Sequence, residues 1–266
     1  MERTGVYGGP VRTLQRALEL AKNGDRVVLD PSGGPYRESI ALFGRKHGGN
    51  PTYPFVIEGQ GALLDGTEPL PEGVWQHFRG DVYRFQPTMK PIDLTFFHLL
   101  DGDKALAKVA VPSDTAELPD LQTGEWCLFE GFVYFRAESG KTPRDAGHYN
   151  LSYSARMCGI TLLQVHHVRL HDLTVQGFQL DGVSAVNGAQ NIVLDNVVCR
   201  NNGRSGVTIG GASSLSAGYG TFAENLTTQI LSKPYSEGLF FDCNVSPDGI
   251  TGEGNEANRT LKIVKE

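Results

Sequence analysis

The sequence has no Cys-x-x-Cys pair, no apolar run of membrane-spanning length and no basic stretch. Each absence removes a class of function. Four cysteines, Cys127, Cys158, Cys199 and Cys243, are scattered along the chain. Without close pairing they read as free, buried thiols and not as zinc ligands. A membrane helix needs about 18 or more consecutive apolar residues, so a membrane is not an expected partner. The formal net charge is −6 and the pI is about 5.7. Nothing here resembles a surface built to neutralise phosphates, so nucleic acid is not an expected partner either. The opening Met1-Glu2-Arg3-Thr4-Gly5 lacks the apolar core of a signal peptide. That leaves a cytoplasmic protein, or one whose export signal lies outside this sequence.

What is present is glycine, 33 residues of 266, in a chain that is 39% hydrophobic and 20% charged. Such a composition belongs to a globular, turn-rich protein. Pro10 to Lys22 reads as an amphipathic helix, with Leu14, Ala17, Leu18 and Ala21 on one face and Gly24 at its stop. Short strand-like runs follow at Arg26–Leu29, Glu38–Phe43, Pro54–Glu58 and Ala62–Leu64, separated by Gly- and Pro-rich turns.

The ordered set Leu14-Gln15, Ala17-Leu18, Gly24-Asp25-Arg26-Val27-Val28-Leu29, Tyr36-Arg37-Glu38-Ser39-Ile40 and Val56-Ile57-Glu58-Gly59 resembles the N-terminal cap and first coil of pectate-lyase-like β-helix proteins. The resemblance covers residues 9–66. It implies an all-β, right-handed parallel β-helix whose open end is plugged by the helix. It also implies a carbohydrate-active protein, extracellular or periplasmic, that degrades a polysaccharide as a glycoside hydrolase or a lyase. A non-catalytic carbohydrate-binding or structural β-helix, or a shortened homologue that has lost activity, is the alternative.

Residues 67–150 break the pattern. Asp81–Phe85, Phe96–Leu100, Glu125–Phe129 and Phe132–Phe135 read as longer strands, with Glu130-Gly131 as a tight hairpin turn. An antiparallel hairpin does not belong inside a parallel coil, so this segment is expected to be an inserted β subdomain. It resembles an insertion found in some β-helix glycoside hydrolases. Residues 1–66 would then form the cap and first coil, 151–247 the main coils and 248–266 a tail.

From Cys158 onward the chain repeats. Cys158-Gly159-Ile160, Asp181-Gly182-Val183, Ser205-Gly206-Val207 and Glu237-Gly238-Leu239 share a frame, with glycines 23, 24 and 32 residues apart. A second frame runs through Asp172, Asn196 and Asn225. A coil of about 24 residues cannot bury its own apolar side, but coils stacked at the β spacing of about 4.8 Å can. Alternation then points Ile160, Val183, Val207, Ile209, Leu239 and Phe241 inward, and Ser184, Thr208 and Phe240 outward. In this reading the extra residues of the third coil are surface loops at Gly211–Tyr219 and Ser232–Tyr235. The tail is expected to fold over the far opening through Leu261, Ile263 and Val264. An uncovered opening would lead to self-association through that end.

Two outward columns carry ionisable groups. Gln179-Leu180-Asp181-Gly182-Val183 and Arg204-Ser205-Gly206-Val207-Thr208-Ile209-Gly210 resemble two polygalacturonase elements. Arg204-Ser205 stands where those enzymes have Gly-His, and their Asp-Asp pair has no counterpart. Asp181 and Glu237, read as two coils apart, are the candidate acid–base pair, at a backbone separation of about 9.6 Å. Inverting glycosidases hold their carboxyls roughly 6.5–9.5 Å apart. Arg204, Ser205, Thr208 and Phe240 are the candidate sugar contacts; plain turn residues entering strands are the competing interpretation. The other column, His171, Asp195 and Glu224, is a candidate Ca²⁺ site, or else a solvated charged edge. No cofactor besides Ca²⁺ is suggested.

Overall fold

A computed structural model describes residues 10–87, 95–112, 117–145, 147–246, 249–252 and 260–264. Its centre is a parallel β-solenoid. The longer sheet stacks Arg26–Val28, Phe55–Asp65, His166–Gln176, Gln190–Arg200, Ser214–Gly218, Glu237–Phe241 and Thr260–Val264 in that order. The second sheet stacks Ile40–Phe43, Ile160–Leu163, Asp181–Val186, Ser205–Ile209, Thr228–Ser232 and Ile250–Gly252. From Ile160 on, the chain alternates between the sheets, so each coil gives one rung to each.

The register shows why the stack holds. Ile40, Ile160, Val183, Val207 and Ile230 are successive partners in the second sheet. Across the core from them, Phe55, Val168, Ile192, Leu215, Gly238 and Leu261 are successive partners in the long sheet. All except the two end members Gly238 and Leu261 are buried hydrophobics of one cluster, and Leu261 packs against it. Matching apolar side chains one β spacing apart form a continuous core that no single coil could supply.

This register corrects the sequence frame at its fourth member. Ser205 pairs with Thr228 and Val207 with Ile230. Glu237 pairs instead with Ser214, in the opposite sheet. The segment Gly211–Tyr219, expected to be a loop, contains the strand Ser214–Gly218. The third coil is therefore as short as the others, and the 32-residue glycine spacing joined two different sheets. Thr228-Gln229-Ile230, the true fourth member, carries no glycine to mark it. The inward and outward assignments reverse accordingly: Phe240 is 0% exposed and Leu239 is 43% exposed. Phe240 meets Phe222 edge-on inside the core, ring centroids 5.5 Å apart.

The asparagine frame is corrected in the same way. Asn196 does sit beside Asp172, donating from Nδ2 to its carboxylate at 2.9 Å. Asn225 belongs one corner further along, beside Asn202. Asn202 donates from Nδ2 to Asn225 Oδ1 at 2.9 Å, and Asn225 Nδ2 donates to the Cys199 carbonyl at 2.9 Å. Both are buried, so the pair satisfies backbone groups that the turn would otherwise strand.

The N-terminal helix spans Leu14–Leu20, shorter than the sequence pattern suggested because Thr13 caps it. The Glu38 carboxylate accepts from the Leu14 and Gln15 amides at 2.9 and 2.8 Å, tying the helix start to the first coil. Leu14 and Leu18 are buried in the solenoid core. At the other end the described residues of the tail extend the stack instead of crossing the opening. Ile250–Gly252 and Thr260–Val264 each add a parallel rung in register. Leu261 is partly buried, whereas Ile263 and Val264 are exposed on the outer edge. Asp248, where the tail was expected to begin, lies outside the described residues.

The insert is antiparallel, as its hairpin signals. One sheet orders Gln76–Arg79, Val82–Phe85, Phe132–Arg136 and Trp126–Phe129; the other orders Thr67–Pro69, Leu151–Ser154, Leu99–Asp101 and Lys104–Ala105. Glu130 and Gly131 both have positive φ, as a two-residue hairpin turn requires. Trp75, Phe85, Phe97, Trp126 and Phe135 fill a core separate from that of the solenoid.

Two predictions follow from these contacts. Leu18→Ala removes a buried side chain of the cap and should cost about 2–5 kcal/mol in urea unfolding; unchanged stability would mean the helix is not part of the cooperative core. The strand Thr260–Val264 pairs with Glu237–Phe241 on one side only among the described residues. The 266-residue chain should therefore self-associate through this edge. Light scattering should show the association, and Ile263→Lys should reduce it.

Candidate functional site

The residues singled out at Asp181 do come together, but as a closed cluster. Asp181 is 0% exposed. Arg204 grips it at two points, Nε to Oδ1 at 2.9 Å and Nη2 to Oδ2 at 2.6 Å, and the Ser205 hydroxyl donates to Oδ1 at 2.9 Å. Thr208 is buried alongside, its hydroxyl 2.9 Å from that of Ser205. A carboxylate held by a bidentate guanidinium and a hydroxyl has little capacity left for a sugar. Glu237 is exposed on the other sheet, so the two carboxyls never face each other. Phe240, enclosed in the core, cannot stack on a sugar ring.

The Ca²⁺ column is also rearranged. His171 and Asp195 are partners in register, with Nε2 to Oδ2 at 3.8 Å. Glu224 follows Ala223, the partner of Arg200, and so lies at the corner beside Asn201. The carboxylate that completes the column is Glu58, 2.5 Å from His171 Nδ1 and 2.8 Å from Arg26. The bond from His171 is the main reason that the Glu58 carboxyl titrates below its ordinary range. Among the described residues no group of three or more His, Cys, Asp or Glu is arranged to hold a metal ion.

A concavity lies between the insert and the solenoid corners. A cleft of about 760 Å³ is lined by Phe96, Lys104, Lys108, Gln122 and Glu125 of the insert, and by Gly203, Leu226 and Thr227 of the solenoid. Its two walls are joined by polar contacts. Asn201 Nδ2 donates to the Asp103 carbonyl at 2.6 Å, and Arg200 pairs with Asp103 at 3.3 Å. Gly203 permits the close approach: a Cβ there would lie 2.4 Å from the Phe96 carbonyl oxygen and 2.3 Å from that of Gln179. The buried His98 lies at the back, each ring nitrogen 3.0 Å from a carbonyl, of Phe96 and of Asn201. Burial pushes its pKa below the ordinary histidine value, against the pull of those carbonyls. The neutral ring can donate to one of them only.

Lys108 reaches the Thr95 carbonyl at 3.1 Å and lies 5.2 Å from the centre of the Trp126 ring. Glu125 accepts from the Gln122 amide at 2.7 Å. The cleft thus offers two ammonium groups, one carboxylate, three hydroxyls, an amide and an apolar wall. Sequence reasoning missed it because its residues come from segments far apart in the chain. The legible signal was Gly203, a glycine outside the repeat frame and next to Arg204, where a close backbone approach was required.

No family model and no curated protein matches the sequence. Two solved structures are similar. One is a glycoside hydrolase, 12% identical, matched over 83% of this chain and 64% of its own, with a TM-score of 0.60. The other is the complex of XylC with xylose, 10% identical, matched over 95% of this chain and 60% of its own, with a TM-score of 0.48. The chain therefore spans less than two thirds of the length of either. The likeness to the glycoside hydrolase is one of fold.

The Asp181 cluster makes a stability prediction. Arg204→Ala leaves a buried carboxylate without its cation and should cost about 3–5 kcal/mol. Denaturant unfolding measures it, and a loss below about 1 kcal/mol would mean that the pair is not structural.

Proposed function

We propose that this chain is a carbohydrate-binding β-solenoid that takes a saccharide in the cleft between insert and solenoid. The observation that carries this reading is the cleft lining. Phe96 and Leu226 give apolar surface, while Gln122, Thr227 and Glu125 give the directional hydrogen bonds that orient a polyhydroxylated ligand. Lys104 and Lys108 outnumber the one carboxylate there and favour a sugar acid over a neutral sugar. The fold likeness to a glycoside hydrolase supports carbohydrate as the ligand class, as does the N-terminal resemblance to pectate-lyase-like proteins. Membership of that superfamily, and an extracellular or periplasmic location, belong to this proposal.

Binding without cleavage is the form the geometry favours. Two-carboxylate hydrolysis needs a second acid facing the first. Glu125 is the one carboxylate in the cleft lining, and Asp181 is occupied by Arg204. Affinity electrophoresis through gels containing polygalacturonate or a neutral xylan tests the reading. Polygalacturonate should retard the protein, and Lys104→Glu and Leu226→Trp should each weaken that retardation at least about tenfold, or 1.4 kcal/mol. New reducing ends or an ultraviolet-absorbing product would convert the reading to a hydrolase or a lyase. Free passage through both gels would remove it.

A further inference from the structure

The outer face of the long sheet has a gap in one of its side-chain columns, away from the cleft lining. One column of this face runs Glu58, His171, Asp195, Gly218, Phe241 and Val264, each the register partner of the next. Five of its six members bear side chains, and Gly218 interrupts them. A Cβ added at Gly218 would meet nothing within 4 Å, so the gap is open space and not a tight packing requirement. The notch is bounded on one side by Asp195 and His171. On the other stands Phe241, and Tyr219, next to Gly218 in the chain, meets it edge-on with ring centroids 5.9 Å apart. Tyr219 is 63% exposed.

The polar side has bonding capacity in reserve. Glu58 orients the imidazole through Nδ1, leaving Nε2 turned toward Asp195 at 3.8 Å, beyond hydrogen-bond length. Among the described residues the Asp195 carboxylate accepts no hydrogen bond, and it is about one-third exposed. A carboxylate with unspent capacity, and an imidazole nitrogen behind it, stand two rungs or more, at least about 9.6 Å, from the half-buried Phe241, with the exposed Tyr219 beside the gap. The ligand that uses both sides at once is a ring with an apolar face and hydroxyls on its edge.

We propose that the notch at Gly218 is a binding subsite for one pyranose ring, stacked on Tyr219 and Phe241 and hydrogen-bonded by Asp195 and His171. It is a different place from the cleft and can exist without it. Gly218 also supplies a clean variant: its φ is not in the left-handed region and the added atoms have room, so Gly218→Val fills the notch without disturbing a strand. Saturation-transfer NMR with xylose, glucose and galacturonic acid, each as monomer and trisaccharide, reads the binding. At least one of these probes should give a signal. Its affinity should fall at least about tenfold in Gly218→Val and in Tyr219→Ala, with melting temperature unchanged in the former, and should persist in Leu226→Trp. Loss in Leu226→Trp with full binding in Gly218→Val would assign the sugar to the cleft and overturn the notch. So would the absence of signal from every probe, or Ca²⁺ binding abolished by Asp195→Asn without any saccharide signal.

Discussion

Everything in this molecule depends on stacking in register. Rungs recur every 23 or 24 residues: Ile160, Val183, Val207 and Ile230 on one sheet, Val168, Ile192, Leu215, Gly238 and Leu261 on the other. A slip of one residue would turn each inward side chain out, and each outward polar group into the core. The αL corners at Asp172, Asn196, Asn201 and Glu224 reset the direction of the chain so that the next rung lands in place. The Asn202–Asn225 pair fixes one of those corners by bonding backbone groups inside the stack.

The same constraint decides what a polar residue near a rung can do. Asp181 begins a core strand and is fully buried, and Arg204 and Ser205 supply the hydrogen bonds that its carboxylate needs. It serves as a brace between neighbouring corners. The Arg204 backbone carbonyl accepts from Thr228 one rung further on, and Thr227 donates to the Gly203 carbonyl. Asp181, which looked catalytic in sequence, therefore helps to hold one wall of the cleft in position.

How far the sequence discloses this follows from what each signal measures. The cap helix, the parallel coils and the antiparallel insert are legible because apolar periodicity, Glu130-Gly131 and the repeated Asx-Gly and Ser-Gly steps report local geometry. The fourth coil is not. Thr228-Gln229-Ile230 has the shape of Ser205-Gly206-Val207 without its glycine, while Glu237-Gly238-Leu239 has the glycine in a different sheet. Both glycines are tight packing positions: a Cβ would lie 2.8 Å from the Gly206 carbonyl oxygen at Gly182 and 2.6 Å from Leu261 at Gly238. The same local signal therefore occurs in both sheets, and sequence does not say which. Misplacing that one rung also misplaced Glu237, Phe240 and Asn225, and with them the acid–base pair. Glu58 was missed as the partner of His171 because the insert separates them by 113 positions in the chain.

A solenoid built this way has little surface on which to make a site. Its inward positions are committed to the core, and its outward positions form flat ladders whose neighbours share similar directions. Concavity then has to come from something that departs from the repeat. Gly203 lets the insert approach the corners closely enough to close a cleft, and Gly218 removes one member from an outer ladder. Neither glycine lies in the frame that defines the coils. The two positions that break the pattern, and not the columns that maintain it, are where this fold departs from a flat, filled surface.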